Sequence, residues 1–340
     1  MLALSLNLPH KAASAAFRLF IKIDIVGNVE TLYWPIDSEL KKEAEEHYRT
    51  RFAVGLKDKE PLEIIRQITF DGAAPDIEVK DIEALFDFVE RKFLKGKIKG
   101  IGVEVGSGPG TFSSVLAKRD LVEKIYAVEV CRPIVELLMP KVAGYVLGDK
   151  EDKLIGAVGS FDDMELPDES VDFVFDFFSL HHSDNLEKTL KECYRILKKG
   201  GLIFCFDKAR PDYFTERDLD DLLDAEYGPE DKKMFGMPSE QKFTRRMNGE
   251  KEYRLKDWKQ AFSKAGLGKI KDFYLAKPGK RTLKKLLSSL PVNLQIKLNG
   301  LLPEYKYNHK FFLSRGNKIY TGMINNFPKE ISLMIAYKND

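Results

Sequence analysis

Two different rhythms of apolar spacing divide the chain. Up to about residue 78, short apolar runs do not alternate with helical ones. Residues 38–52 (SELKKEAEEHYRTRF) open on Ser38, a good N-cap, and are rich in helix formers. Residues 61–68 (PLEIIRQI) start on Pro61, which suits a first helical position. From Ile82, Leu85, Phe86, Phe88, Val89 and Phe93 recur at helical spacing, and Gly96 is a stop. From Ile101 to about Lys277 the rhythm changes to strand, helix, strand. Strands are predicted at 101–105, 125–130, 154–160, 171–177, 201–207 and 269–276, and helices at 112–119, 132–142, 185–199 and 255–267. Such alternation implies a parallel sheet with helices on both faces. It is interrupted after Asp207 and again after Lys277, and the chain closes on a strand-like run, ISLMIAYK, at 331–338.

The expected organisation is therefore an N-terminal, mostly helical extension over residues 1–95, followed by an α/β domain over 96–340 with insertions at about 211–253 and 278–328. At 340 residues the chain has room for this arrangement, and no internal repeat or low-complexity tract competes with it. Lysine and arginine nearly balance aspartate and glutamate, leaving a net charge of +2, which gives no support to a nucleic-acid binder held by bulk electrostatics. No DNA partner is expected. The three cysteines have no metal-ligand or disulfide spacing and read as reduced, cytoplasmic thiols; no metal is expected. No apolar run is long enough to span a bilayer. The opening MLALSLNLPHKAASAAF lacks a basic start and is broken by Asn7, Pro9, His10 and Lys11, so it does not read as a signal peptide.

The most informative segment is Gly102 to Thr111, GVEVGSGPGT, between a predicted strand and a predicted helix. Gly106, Gly108 and Gly110 remove side chains where the backbone must turn sharply or touch a ligand. In an open α/β sheet this turn lies at the carboxyl edge of the first strand, where ligands bind. A dinucleotide loop, G-x-G-x-x-G, would place its third glycine at Thr111, one residue too late for this sequence. Glu104 also stands two residues before the loop, where a carboxylate opposes a pyrophosphate and suits a cationic ligand.

These residues resemble the class I S-adenosylmethionine-dependent methyltransferases, particularly the type 11 group, from about Ile101 to Leu202. The resemblance implies a Rossmann-like, doubly wound, seven-stranded sheet with its last strand antiparallel. It implies S-adenosylmethionine as cofactor, with S-adenosylhomocysteine as product. Glu104, Gly106, Ser107, Gly108 and Gly110 match the family's acidic residue and glycine loop. Glu129 matches its ribose-binding acid, and two carboxylate oxygens can accept from vicinal hydroxyls; Val130 would pack on adenine. Asp162, or Asp163 if the register shifts by one because Phe161 replaces the usual glycine, would accept from the adenine amino group. Asp176 and Phe177 fall at the strand end facing the methyl donor. Leu180, His181 and His182 match the family's LHH, and RILKKGGLIF its fifth motif.

Methyl transfer depends mainly on alignment, and a base helps only where the acceptor is protonated. His181 and Asp176 are the catalytic candidates, although a histidine pair here equally suits helix packing. Lys208 and Arg210 either face a substrate or are solvated loop charges. The N-terminal helices and both insertions are expected to cap the acceptor. RTLKKLLSSL, at 281–290, is basic and amphipathic, and most simply packs on its own protein. A small-molecule, glycan or lipid-type acceptor is the leading expectation. A protein or RNA acceptor ranks second, since Asp176-Phe177-Phe178-Ser179 replaces the Asn-Pro-Pro-Tyr-like tetrapeptide of amide and base N-methylases. A non-catalytic module that binds the cofactor and regulates a partner is a third.

Overall fold

The computed structural model describes residues 22–26, 28–36, 50–70, 74–235, 237–276, 318–320 and 331–339. In chain order the strands are β1 Lys22–Val26, β2 Val29–Tyr33, β3 Gly100–Val105, β4 Val122–Glu129 and β5 Leu154–Val158, then β6 Val171–Phe177, β7 Leu197–Asp207, β8 Leu267–Ala276, β9 Lys318–Tyr320 and β10 Ile331–Lys338. They form one sheet in the order β1-β2-β5-β4-β3-β6-β7-β10-β8-β9. The expected seven-stranded sheet is its centre, β5 to β8. β3 to β7 run parallel, and β10 is antiparallel to both β7 and β8. The order reverses direction between β3 and β6, so the crevice at their carboxyl ends is the expected ligand site.

Three strands extend the sheet beyond that expectation. β9 adds to β8, and β1 and β2 form a hairpin whose second strand pairs with β5. The helical reading of residues 1–95 did not anticipate the hairpin. The rest of the described extension is helical: α1 Thr50–Leu56, α2 Pro61–Ile64 with a wider turn over Ile65–Thr69, and α3 Val79–Val89 with another over Glu90–Leu94. The Ser38 cap, the first 21 residues and the basic 281–290 stretch fall outside the described residues, as does all but β9 of the second insertion.

The remaining helices are α4 Thr111–Ala117, α5 Met139–Leu147, α6 Leu186–Ile196, α7 Glu216–Leu223, α8 Pro229–Met234 and α9 Leu255–Lys264. The short α7 and α8 lie in the first insertion. Alternation along the strands sends one set of side chains to each face. Phe173, Phe175, Phe204 and Phe206 pack with α3, α4 and α5, whereas Val171, Val174, Ile203 and Cys205 pack with α6 and α9. Both faces being covered explains why these strands are apolar almost throughout. On the first face Phe86 of α3 stands edge-on to Phe112 (6.0 Å), Phe175 (5.2 Å) and Phe204 (6.4 Å), which locks the extension to the sheet. Asn185 starts α6 by accepting a hydrogen bond from the Lys188 N–H (3.0 Å).

Phe86 is fully buried, so Phe86→Ala should cost about 3–5 kcal/mol of unfolding free energy. Chemical denaturation checks this; a loss under about 1 kcal/mol would show that α3 is not part of the cooperative core.

Candidate active site

Four adjacent strands each bring an acidic side chain to the carboxyl edge of the sheet: Glu129 ends β4, Glu104 is one residue from the end of β3, Asp176 one from the end of β6, and Asp207 ends β7. All four are at most 1% exposed. The register explains the row, since Val105 stands opposite Val128 and Asp176, and Asp176 opposite Cys205.

The glycine loop bends over the first two of these acids. Gly106, Gly108 and Gly110 have φ of +64°, +53° and +73°, the left-handed region that disfavours side chains. A Cβ on Gly106 would lie 2.3 Å from the Ser179 Cβ, so this glycine also lets the segment after β6 approach. Ser179 Oγ donates to the Gly106 carbonyl (2.9 Å), tying the two sides of the switch point together. Within the loop, the Ser107 N–H donates to the Val128 carbonyl (2.9 Å) and the Gly110 N–H to the Ser107 carbonyl (3.1 Å). Thr111, which spoils the dinucleotide pattern, has its hydroxyl 2.7 Å from that of Thr69, so the end of the α2 segment rests on the loop.

Glu129 accepts from the Gly108 N–H (3.0 Å) and the Cys131 N–H (2.9 Å), one on each carboxylate oxygen. Glu104 accepts from Ser113 Oγ of α4. Burial pushes Glu104 up to about 8, against the relief that the serine gives. Val130 and Phe177 are half-buried, and Phe177 packs 4.2 Å from Phe112. Of the two aspartates left open by the sequence, Asp162 is buried and accepts from Thr189 Oγ1 of α6, whereas Asp163 is exposed.

Asp176 braces the turn that follows it. Its Oδ1 accepts from the Ser179 N–H (3.0 Å) and the Leu180 N–H (2.8 Å), and its Oδ2 has no hydrogen-bond partner among the described residues. Burial, then the Asp207 charge, push it well above the usual carboxylate range. His181 follows in the short helical turn Leu180–His182, with its Nδ1 2.7 Å from Asp207 Oδ1. Asp207 also accepts from the His181 N–H (3.0 Å) and the Lys208 N–H (2.5 Å). Burial raises Asp207 to about 7 despite the Lys208 charge. Burial, then Lys208, hold His181 well below its usual value. His182 is half-buried beside it, ring centroids 4.3 Å apart.

Lys208 and Arg210 are not solvated loop charges, for the first insertion folds back and neutralises them. Arg210 is 2% exposed and forks onto Glu252, with Nη2 2.6 Å from Oε1. Lys208 Nζ lies 2.5 Å from Glu250 Oε2, and Tyr227 donates to the other oxygen of Glu250. Asp207, Glu250, Glu252 and Tyr227 were not picked out from the sequence. Only Asp207 carried a signal, as the acidic last residue of a predicted strand next to the switch point. The partners of Lys208 and Arg210 lie 42 residues away.

The methyltransferase-domain family model matches residues 103–205, from β3 to the middle of β7. Residues 103–205 are thus similar to a methyltransferase domain. Malonyl-[acyl-carrier protein] O-methyltransferase 1 of Coxiella burnetii is 39% identical over 59 residues, which are 17% of this chain; the chain thus spans 21% of that relative's length. Among solved structures, YcgJ of Bacillus subtilis is similar at 14% identity, with a TM-score of 0.43 over 77% of this chain and 100% of that one. Haemonchus contortus phosphoethanolamine N-methyltransferase 2, with S-adenosylhomocysteine, is similar at 12% identity, with a TM-score of 0.42 over 75% of this chain and 52% of that one. The match covers the three glycines, Glu104, Glu129, Asp162, Asp163, Asp176 and His181. Its end at Cys205 leaves out Asp207 and the insertion.

The buried acids give the domain a definite pH response. Glu104 rises from 4.5 to about 8 and Asp207 from 3.8 to about 7, so the folded state favours their protonated forms. That contribution is complete below about pH 4 and is lost as pH climbs through about 7 to 8. The melting temperature should therefore fall between pH 6 and 8.5, and Glu104→Gln should reduce the fall. Equal melting temperatures across that range would contradict the burial assignment.

Proposed function

We propose that the chain is an S-adenosylmethionine-dependent methyltransferase acting on a small-molecule, glycan or lipid-type acceptor. The observation that carries this reading is the pair of buried carboxyl groups, Glu104 and Glu129, flanking three left-handed glycines. A cation beside Glu104 would favour the ionised form that burial disfavours, so the site fits a ligand carrying a sulfonium and an ammonium and opposes one carrying a pyrophosphate. Glu129, already aligned by two backbone amides, presents a carboxylate with lone pairs left for vicinal ribose hydroxyls. Ser107 belongs to the same cradle, Val130 and Asp162 to the adenine side, and Phe177 to the methyl side. When bound, S-adenosylmethionine supplies a methyl group on a positively charged sulfur and leaves as S-adenosylhomocysteine.

His181 is the base of this reading. Its Nδ1 is engaged by Asp207, leaving Nε2 to take a proton from an acceptor hydroxyl or amine. Asp176 is assigned a positioning role instead, because its carboxyl holds the turn that carries His181. The N-terminal segment ending at Phe70 helps close the site, with Phe70 5.9 Å from both Phe112 and Phe177.

Incubating the purified chain with methyl-labelled S-adenosylmethionine and a cell extract tests the reading. Label should appear in material resistant to protease and nuclease, and His181→Gln should lower the rate by roughly 10²–10⁴-fold. Label released by protease or nuclease would put the acceptor among proteins or RNA instead. No label despite cofactor binding would leave a regulatory module.

A further inference from the structure

The segment between β5 and β6 is held along its length by one side of α6. Asp162, Met164 and Leu166 are buried, whereas Asp163 between them is exposed. Thr189, Glu192 and Arg195 stand three residues apart on α6, which stacks them on one side of the helix. Each engages the segment in turn. Glu192 Oε1 accepts from the Met164 N–H (2.8 Å). Arg195 donates to the carbonyls of Met164 (2.8 Å) and Leu166 (2.7 Å), and its Nε donates to Glu192 Oε2 (2.8 Å). At the end of this rib Thr189 Oγ1 donates to Asp162 Oδ1. Met164 and Leu166 are apolar and favour burial, but a buried carboxyl needs donors. Thr189 is fully buried and Asp162 is 9% exposed, so water does not readily take the place of that bond.

We propose that Thr189 is a positioning residue for adenine recognition: its hydroxyl fixes the Asp162 carboxyl in the orientation that accepts the 6-amino group of the cofactor's base. This rests on the S-adenosylmethionine reading above, in which Glu129 holds the ribose. The backbone joins the two acids closely. The Glu129 carbonyl accepts from the Gly159 N–H (3.0 Å), and Ser160 Oγ accepts from the Asp162 N–H (3.0 Å). A ribose on Glu129 thus has the Asp162 segment beside it. The Thr189 hydroxyl has one proton and two acceptors within reach, Asp162 Oδ1 and the Asn185 carbonyl (3.1 Å). That carbonyl already accepts from the Thr189 N–H (3.0 Å), and a carboxylate is the stronger acceptor, so the proton goes to Asp162. The bond uses one of a carboxylate's roughly four acceptor positions and limits its rotation. A 6-amino group offers a donor to a carboxylate held in this way. A 6-oxo group offers lone pairs instead, which the carboxylate repels.

Calorimetric titration of the full chain with S-adenosylhomocysteine and with its 6-oxo analogue, S-inosylhomocysteine, tests this without any methyl acceptor. The wild type should prefer the adenine ligand by about a hundredfold or more. Thr189→Val nearly keeps the shape of the side chain and removes the hydroxyl. It should weaken the adenine ligand about tenfold and leave the 6-oxo ligand nearly unchanged, so the preference shrinks by that factor. Thr189→Ala, which adds no bulk, should do the same, and Thr189→Ser restores the donor and should restore the preference. A merely loosened fold weakens both ligands alike and leaves their ratio as it was. Given a wild type that prefers adenine, an unchanged ratio in Thr189→Val and Thr189→Ala would overturn the role of Thr189 alone. A Thr189→Ser variant that loses the preference as fully as Thr189→Val would do so too. Equal binding of the two ligands by the wild type would remove Asp162 from the adenine site and the proposal with it, and binding of neither would refute the cofactor reading itself.

Discussion

Burial of four carboxyl groups in a row is the constraint on which the rest of this protein depends. Glu129, Glu104, Asp176 and Asp207 end or nearly end four adjacent strands, and none is more than 1% exposed. Charges so placed are costly unless they are compensated by hydrogen bonds, by opposite charges or by protonation. Each member finds a different solution. Glu129 takes two backbone amides and Glu104 takes a serine hydroxyl. Asp176 takes the two amides of the turn it braces, and Asp207 takes a histidine and two amides. The left-handed glycines, the switch-point turn and the fold-back of the insertion are the geometric means by which those partners arrive.

From that row follows a division of labour across the crevice. The β3–β4 side, with its glycines and two glutamates, suits a polar, positively charged ligand. The β6–β7 side carries a histidine held by an aspartate, with paired lysine and arginine behind it. Between them lies an aromatic wall of Phe70, Phe112, Phe177 and Phe206, and Phe177 is 6.2 Å from Phe206. The buried Arg210–Glu252 pair ties the end of the insertion to the segment after β7, and desolvation offsets much of its attraction.

The sheet from β3 to β7 was legible because parallel strands buried on both faces leave continuous apolar runs, VDFVFDF and GLIFCFD among them. The glycine loop was legible because three glycines between a strand and a helix have few other uses. The β1–β2 hairpin was passed over although Gly27 and Asn28, a turn pair, separate two runs rich in β-branched residues. Its strands are only five residues each, too short for periodicity to outweigh the helical sequence that follows. Helix α6 ends at Ile196, three residues before the predicted stop at Lys199, because the chain enters β7 at Leu197. The contacts of Lys208 and Arg210 had no signature, since no local rule links residues 42 apart. The identity of Asp176 did not reveal that one of its carboxylate oxygens holds its own loop.

The account stands or falls on what the glycine loop and its two glutamates bind. Calorimetric titration of the purified chain with S-adenosylmethionine and, separately, with NAD measures this directly, with Glu129→Ala as the control. The account requires binding of S-adenosylmethionine, weakened by about tenfold or more when the hydrogen-bonding carboxylate is lost, and no binding of NAD. Binding of NAD, or equal affinity of S-adenosylmethionine for the wild type and Glu129→Ala, would contradict it.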